Sequence, residues 1–338
     1  MDIKLFAINA SRQFGEKIAQ SSSCIRLAEL EERDFADGEH KIRSLESVRG
    51  QTVFVLQSLY SDREQSVNDK ICRLLFLIAA LKDAFAAKVI AVIPYFAYAR
   101  KDRKTKTRDP VTMKYMARLL EASGADALLT MDIHNLAALQ NAFSIPVEHL
   151  EARLLFAPYV ADLLHDEEIV VVSPDAGGAK RAELFQELLG QLLQKEIGNA
   201  FLQKKRSKDE VTGGQLVVGN VKGRTAVIID DIISSGSTLQ LAADALNKQG
   251  AKRIVACATH GLFAGESNKN LSEPALERVI ITNTVSPFRL DKILQENKLI
   301  MLDAAPLFAE AILTIYQNGS MVELSREFPL RRTEKKDC

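Results

Sequence analysis

The sequence carries no net charge: 44 Lys and Arg are matched by 44 Asp and Glu over 338 residues. That balance argues against a nucleic-acid binder working through bulk positive charge, while leaving room for a local cationic cluster that holds a small anion. Long apolar runs are missing too. The longest, 89–99, contains Pro94 and lies between Lys88 and Arg100, well short of the roughly 20 apolar residues of a membrane span. The start, Met1-Asp2-Ile3-Lys4-Leu5, has no basic region followed by an apolar one, so no secretory signal is expected. Cysteine is sparse. Cys24, Cys72, Cys257 and Cys338 form no CxxC pair, which predicts a reduced cytoplasmic protein with incidental thiols. No GxxxxGK[ST] stretch occurs and no GxGxxG follows the first strand, which argues against a P-loop kinase and a Rossmann dehydrogenase. Zinc-ligand spacing is absent as well.

What is present is a globular composition. With 47% hydrophobic and 26% charged residues the chain can bury a large core, which excludes general disorder. At roughly 150 residues per domain, the length predicts about two domains. Short apolar runs at 5–8, 53–56, 89–93 and 127–130 read as buried strands. Val67, Ile71, Leu74, Leu75 and Ile78 recur at helical spacing and leave one apolar face, and 112–120 reads as the next helix. The pattern then restarts, with strands at 169–173, 200–203, 225–229 and 253–259 and helices at 179–193 and 238–248. This alternation predicts an α/β fold of two similar domains, each a mostly parallel sheet flanked by helices. The expected division is 1–150, 151–320 and a charged, frayed tail at 321–338.

In open parallel sheets ligands gather at the carboxyl ends of strands. The strongest signal lies at such an end: Ile228-Ile229-Asp230-Asp231-Ile232-Ile233-Ser234-Ser235-Gly236-Ser237-Thr238. A buried strand reaches two carboxylates, and a small-residue loop then opens a helix. Backbone N–H groups at that loop and the helix dipole suit a phosphate, and Gly236 permits close approach. The acidic pair suits the vicinal hydroxyls of a ribose 5-phosphate. The plain alternative is an ordinary strand followed by a Ser-capped helix.

This stretch resembles the phosphoribosyl-diphosphate motif of type I phosphoribosyltransferases. Other segments narrow the resemblance: Phe35-Ala36-Asp37-Gly38-Glu39, Pro94-Tyr95-Phe96-Ala97-Tyr98-Ala99-Arg100-Lys101-Asp102-Arg103-Lys104, Met131-Asp132-Ile133-His134 and Ser173-Pro174-Asp175-Ala176-Gly177-Gly178. Together, in this order, they resemble the ribose-phosphate diphosphokinase (phosphoribosyl diphosphate synthetase) family over nearly the whole chain. The resemblance implies two phosphoribosyltransferase-like domains and Mg²⁺-dependent transfer of the diphosphoryl group of ATP to the C1 hydroxyl of ribose 5-phosphate, giving phosphoribosyl diphosphate and AMP.

It also implies roles. Asp230 and Asp231 match the residues that hold the ribose hydroxyls, and Ser234, Ser235, Gly236, Ser237 and Thr238 match the 5-phosphate loop. His134 and Asp175 match magnesium-associated positions; Asp175 is the apter ligand, since Mg²⁺ prefers hard oxygens. Arg100, Lys101, Asp102 and His134 match ATP-binding positions. Phe35, Asp37 and Glu39 match a loop that reaches the adenine of a neighbouring subunit. Lys204 and Arg206 match catalytic cations on the family's mobile loop, 204–214. A homo-oligomer, a hexamer or an assembly built from dimers, follows, with the ATP site shared between chains and no nucleic-acid or membrane partner.

Each segment has a plainer reading: a solvated charged turn at 100–104, an Asp-Gly turn between strands at 35–39, a structural His134 and a basic surface loop at 204–214. The chain also departs from the common bacterial pattern. The 5-phosphate loop lacks an acidic residue, and Lys101 stands where Gln is common. Two other functions stay open on this reading: a phosphoribosyltransferase, and a catalytically silent homologue that regulates an active synthetase.

Overall fold

The computed structural model describes residues 2–204 and 215–330. It divides into two compact units, Met1–Glu151 joined by the segment from Ala304 onward, and Ala152–Asp303.

The first unit begins with β1 (Ile3–Ala7), α1 (Arg12–Gln20) and β2 (Ile25–Leu27). A hairpin of β3 (Leu30–Asp34) and β4 (His40–Ser44) follows, and then β5 (Thr52–Leu56), α2 (Val67–Asp83), β6 (Lys88–Ile93), α3 (Thr112–Ala122), β7 (Ala127–Met131), α4 (Leu136–Ala142) and β8 (Val147–Leu150). Six strands form one sheet in the order β2-β1-β5-β6-β7-β8, every neighbouring pair parallel. β1 is buried at every position, Lys4 through its pairing with Glu46, and β6 at every position after Lys88, because both of their faces are covered, as parallel sheets require. α2 starts in a capping box: Ser66 Oγ accepts the Asp69 N–H, and the Asp69 carboxylate accepts the Ser66 N–H. Its apolar stripe runs past the expected Ile78 to the buried Leu81.

The second unit holds α5 (Arg153–Leu163), β9 (Ile169–Ser173), α6 (Ala179–Leu193), β10 (Gly198–Lys204), β11 (Gln215–Val218), β12 (Thr225–Ile233), α7 (Ser237–Lys248), β13 (Arg253–Gly261), α8 (Ser267–Leu271), β14 (Arg278–Thr282), α9 (Lys292–Asn297) and β15 (Leu299–Leu302). Its sheet runs β11-β10-β9-β12-β13-β14-β15, parallel except for β11 at the edge. Without β11, this is the strand order of the first unit. The expectation of two similar α/β domains therefore holds.

The C-terminal segment differs from expectation. Residues up to 320 were assigned to the second domain and 321–338 to a frayed tail. α10 (Ala305–Tyr316) instead belongs to the first unit, where Phe308 meets Phe14 of α1 edge-on at 5.5 Å. Ala305, Leu307, Phe308, Ala309, Ala311 and Ile312 are all buried, so α10 needs cover on most of its faces. α11 (Met321–Glu327) is a capped helix rather than a tail: Ser320 Oγ accepts the Glu323 N–H at 3.3 Å, and Leu324 is buried. Among the described cysteines, Cys72 is exposed and Cys257 buried, both free.

Candidate active site

Both sheets change direction of growth at one point. β9 is followed by β10 on one side and then by β12 on the other, so the crevice at the carboxyl ends of β9 and β12 is a topological switch point, where open α/β sheets bind ligands. Asp175 lies just beyond the end of β9, and Asp230 and Asp231 lie near the end of β12. The structure thus brings three predicted carboxylates to one crevice of the second unit.

β12 runs four residues beyond the expected 225–229, and Asp230 pairs with Ala258 of β13. The acidic pair is therefore held by strand hydrogen bonds rather than by a turn. Asp231 is only 4% exposed. Arg181 of α6 reaches back to both carboxylates, its Nη1 lying 3.3 Å from Asp231 Oδ1 and 3.9 Å from Asp230 Oδ1. One cation facing two anions leaves an excess negative charge in a poorly solvated place. Burial, followed by the Asp231 charge, pushes the Asp230 carboxyl up to about 8. Such a cluster has acceptor capacity to spare for hydroxyl donors.

The loop after β12 is braced from behind. Asn270 Nδ2 donates to Ser235 O at 2.8 Å, and a Cβ on Gly236 would stand 3.2 Å from Leu271 Cδ2. Gly236 is the N-cap of α7 with φ +76° and makes no side-chain cap bond. The plain alternative of a Ser-capped helix is therefore not what forms. The Ser237 N–H makes only a long bond to Ser235 Oγ, at 3.5 Å, so the first N–H groups of α7 can turn to an anion, with Ser237 and Thr238 exposed beside them. At the end of β9, Ser173 Oγ donates to Asp175 O at 2.6 Å and Asp175 Oδ1 accepts the Gly178 N–H at 2.9 Å. The glycine is needed there, because a Cβ on Gly178 would lie 2.9 Å from Ser173 Oγ. The Asp175 side chain is exposed.

The first unit carries its predicted residues on loops after β6 and β7. Tyr95 and Phe96 are buried and anchor the charged run, while the half-exposed Tyr98 donates to Asn68 Oδ1 of α2 at 2.7 Å. Arg100 is exposed. Lys101 Nζ is 2.7 Å from Asp109 Oδ2, which also accepts the Thr105 and Lys106 N–H groups. Lys101 and these bonds hold the Asp109 carboxyl well below the ordinary range. Asp102 Oδ2 accepts Asn135 Nδ2 at 2.6 Å, which joins the charged run to the turn bearing His134. Asn135 also caps α4 through its Oδ1. His134 is exposed and follows Asp132, whose φ of +37° marks a turn held against its own preference. Phe35, Asp37 and Glu39 are exposed on the β3–β4 turn, closed by Phe35 N–H to Glu39 O at 2.8 Å. In local structure this is the Asp-Gly turn of the plain reading, with Gly38 at φ +94°.

Lys204 ends β10 opposite Gln215 of β11. Arg206 and the Gly213-Gly214 pair lie outside the described residues. Arg181, Asn135 and Asn270 were not found from the sequence. Each is one polar residue on a helix or at its start, and nothing in the local pattern ties it to a partner 33 to 50 residues away.

Comparison with known proteins shows the family. Residues 3–124 match the family model described as the N-terminal domain of ribose phosphate pyrophosphokinase, and 200–326 match the phosphoribosyl synthetase-associated domain. A ribose-phosphate pyrophosphokinase of Caldanaerobacter subterraneus subsp. tengcongensis is 41% identical over 322 residues, 95% of this chain and 97% of its own. Ribose-phosphate pyrophosphokinase 1 of Streptococcus pyogenes is 40% identical over 330 residues, 96% of this chain and 97% of its own. Among solved structures, phosphoribosylpyrophosphate synthetase from Mycobacterium smegmatis superposes with a TM-score of 0.84 at 34% identity, covering 94% of this chain and 100% of that one. A mostly parallel sheet repeated twice, and relatives of this likeness along the whole chain, lead to one conclusion: the chain is an enzyme of the ribose-phosphate pyrophosphokinase family.

Proposed function

We propose that the enzyme moves the β,γ-diphosphoryl group of ATP to the C1 hydroxyl of ribose 5-phosphate. The C1 oxygen attacks the β-phosphorus, the bond from that phosphorus to the α,β-bridging oxygen breaks, and AMP leaves. The hydroxyl proton departs to solvent or to a substrate phosphate. The observation that carries this reading is the crevice of the second unit, where Asp230 and Asp231 face Arg181 beside the uncapped N-terminus of α7. The carboxylates accept the ribose hydroxyls, and Ser234, Ser235, Gly236, Ser237 and Thr238 receive the 5-phosphate.

The residues after β6 and β7, Arg100, Lys101, Asp102 and His134, serve ATP. Arg100 offers its free guanidinium to a phosphate, while Lys101 braces the loop through Asp109. Lys204 and Arg206 stabilise charge on the transferring group, since phosphoryl transfer is catalysed mainly by positioning and electrostatics.

Among the described residues no three His, Cys, Asp or Glu side chains form a metal cage. That fits Mg²⁺, which is commonly bound by one or two protein carboxylates with substrate phosphates and water completing its shell. Asp175 would supply one exposed carboxylate, oriented by the Gly178 N–H, and His134 is the other residue that the family resemblance assigns to the ion. When bound, the ion neutralises charge on the diphosphoryl oxygens.

The family resemblance also supports a homo-oligomer in which Phe35, Asp37 and Glu39 complete the ATP site of a neighbouring chain. An AMP-release assay with ATP, ribose 5-phosphate and Mg²⁺ tests the reaction; no AMP from folded protein rejects it. Mixing Phe35→Ala and Asp231→Ala chains, assayed at substrate levels where each alone turns over slowly, tests the sharing, because recovered turnover requires sites built from two chains.

A further inference from the structure

The turn at 35–39 has little support of its own. β3 and β4 form a separate two-stranded sheet, bonded to neither main sheet. Such a hairpin is marginal alone in water, and Ile42 is its one buried apolar side chain. What fixes it is polar. Arg73 of α2, 7% exposed, donates from Nη1 to Glu32 Oε1 at 2.6 Å and from Nη2 to Asp34 Oδ1. Glu32 is itself buried, with 3% of its side chain exposed, and its Oε2 accepts the Asn9 N–H at 2.9 Å, two residues past β1.

Three residues along α2 from Arg73, Phe76 stacks on the His40 ring, with centroids 5.4 Å apart and planes at 21°. Asp34 and His40 are the last pair of the β3–β4 ladder before the turn. Both legs of the turn are therefore gripped from one helix, one by an ion pair and one by a ring. A guanidinium fork reaches two carboxylates at once in fixed geometry, which an ammonium does not.

We infer that Arg73 is a positioning residue: acting through Glu32 and Asp34, it sets the orientation in which Phe35, Asp37 and Glu39 meet the nucleotide. This deepens the proposed function and rests on its reading of the 35–39 turn. Arg73 touches no substrate. It acts by fixing where the exposed turn points, and a misplaced binding group costs affinity for the ligand it serves.

The chain has no tryptophan, so Phe35→Trp places one fluorophore on the turn. Its anisotropy is compared with Arg73 intact, Arg73→Gln and Arg73→Lys, with thermal melting to confirm folding. Kinetics are read separately with Phe35 in place. The expected result is lower Trp anisotropy in Arg73→Gln and a KM for ATP raised about 10-fold, with kcat and the KM for ribose 5-phosphate within about threefold of the original. Arg73→Lys, which keeps the charge and the fold but loses the fork, falls between. Unchanged anisotropy in both variants overturns the inference, and so does a lowered melting temperature with an unmoved KM for ATP. Phe35→Ala separates the two layers: if it leaves the KM for ATP unchanged, the nucleotide reading of the turn fails and takes this assignment with it. If it raises that KM while Arg73→Gln does not, Arg73 alone is wrongly assigned.

Discussion

β12 and β5 hold the same place in two sheets of the same order, yet β12 reaches two carboxylates while β5 leads into Gln57 and Ser58. In the second unit the candidate residues stand at the switch point itself, on β9, β12 and the start of α7. They are held by strand pairing, by Arg181 and by the close approach of Gly236 to Leu271. In the first unit they sit one and two strands further out, on loops after β6 and β7, tied by single polar bonds such as Asn135 to Asp102. The strand ends β13 and β14, which correspond to β6 and β7, are closed by a buried network in which His260 meets Thr284 at 2.8 Å. One sheet carries candidate site residues at the strand ends that the other fills with packing. Each half also has a hairpin near its second strand: β3–β4 follows β2 in the first, and β11 folds back on β10 in the second. The lesson is that a repeated architecture constrains where a ligand can sit, and the side chains at each strand end decide which of those places is used.

The comparison can be broken at several points. The largest effect is expected for Lys204→Ala: turnover about 100-fold lower or more, with ribose 5-phosphate affinity little changed. Unaltered steady-state AMP release would remove Lys204 from catalysis and with it the functional weight of the second hairpin. Next is Asp231→Ala, for which calorimetry should show ribose 5-phosphate bound roughly 30-fold more weakly, about 2 kcal/mol. Wild-type affinity would move the sugar site away from the switch point.

A smaller effect comes from pH. The carboxyl of Asp230 is held up to about 8, so below that value it is mostly neutral and accepts hydroxyl donors poorly. Affinity for ribose 5-phosphate should therefore rise as pH climbs through it, by roughly 10-fold from about pH 7 to about pH 9, with a proton released on binding. Asp230→Asn should flatten this slope; a slope of opposite sign would mean that the protonated pair is the binding form. The smallest effect is expected for Asn135→Ala, which frees Asp102 and uncaps α4. The KM for ATP should rise about fivefold and stability should fall by about 1 kcal/mol, leaving the KM for ribose 5-phosphate alone. If the sugar constant moved instead, the division of labour between the two units would be wrong.

Much of the scaffold is legible in the residue pattern. The run at 169–173 is β9 and the pattern at 179–193 is α6, because a strand buried on both faces and a long helix with one apolar stripe leave strong periodic signals. The β3–β4 hairpin is not legible as strands: Glu31, Glu32, Arg33, Lys41 and Arg43 show no apolar alternation, since their cover is ionic rather than hydrophobic. β12 was read too short because two carboxylates look like the end of a strand, yet pairing with β13 continues through Asp230 to Ile233. The acidic pair and the Ser/Gly loop stood out because their chemistry is contiguous in the chain. Arg181, which completes that cluster, lies 50 residues away and became visible only when α6 packed against β9 and β12.

By itself, then, the sequence determined the α/β class, the two similar halves and the strand ends that carry the candidate residues, because periodicity and contiguous motifs are local properties of a chain. The tertiary structure decided that α10 returns to the first unit, that Gly236 rather than a serine caps α7, and that Arg181 and Arg73 find their carboxylates. Those outcomes depend on which apolar face needs cover and which buried charge needs a partner. Both are settled only when segments distant in sequence come together.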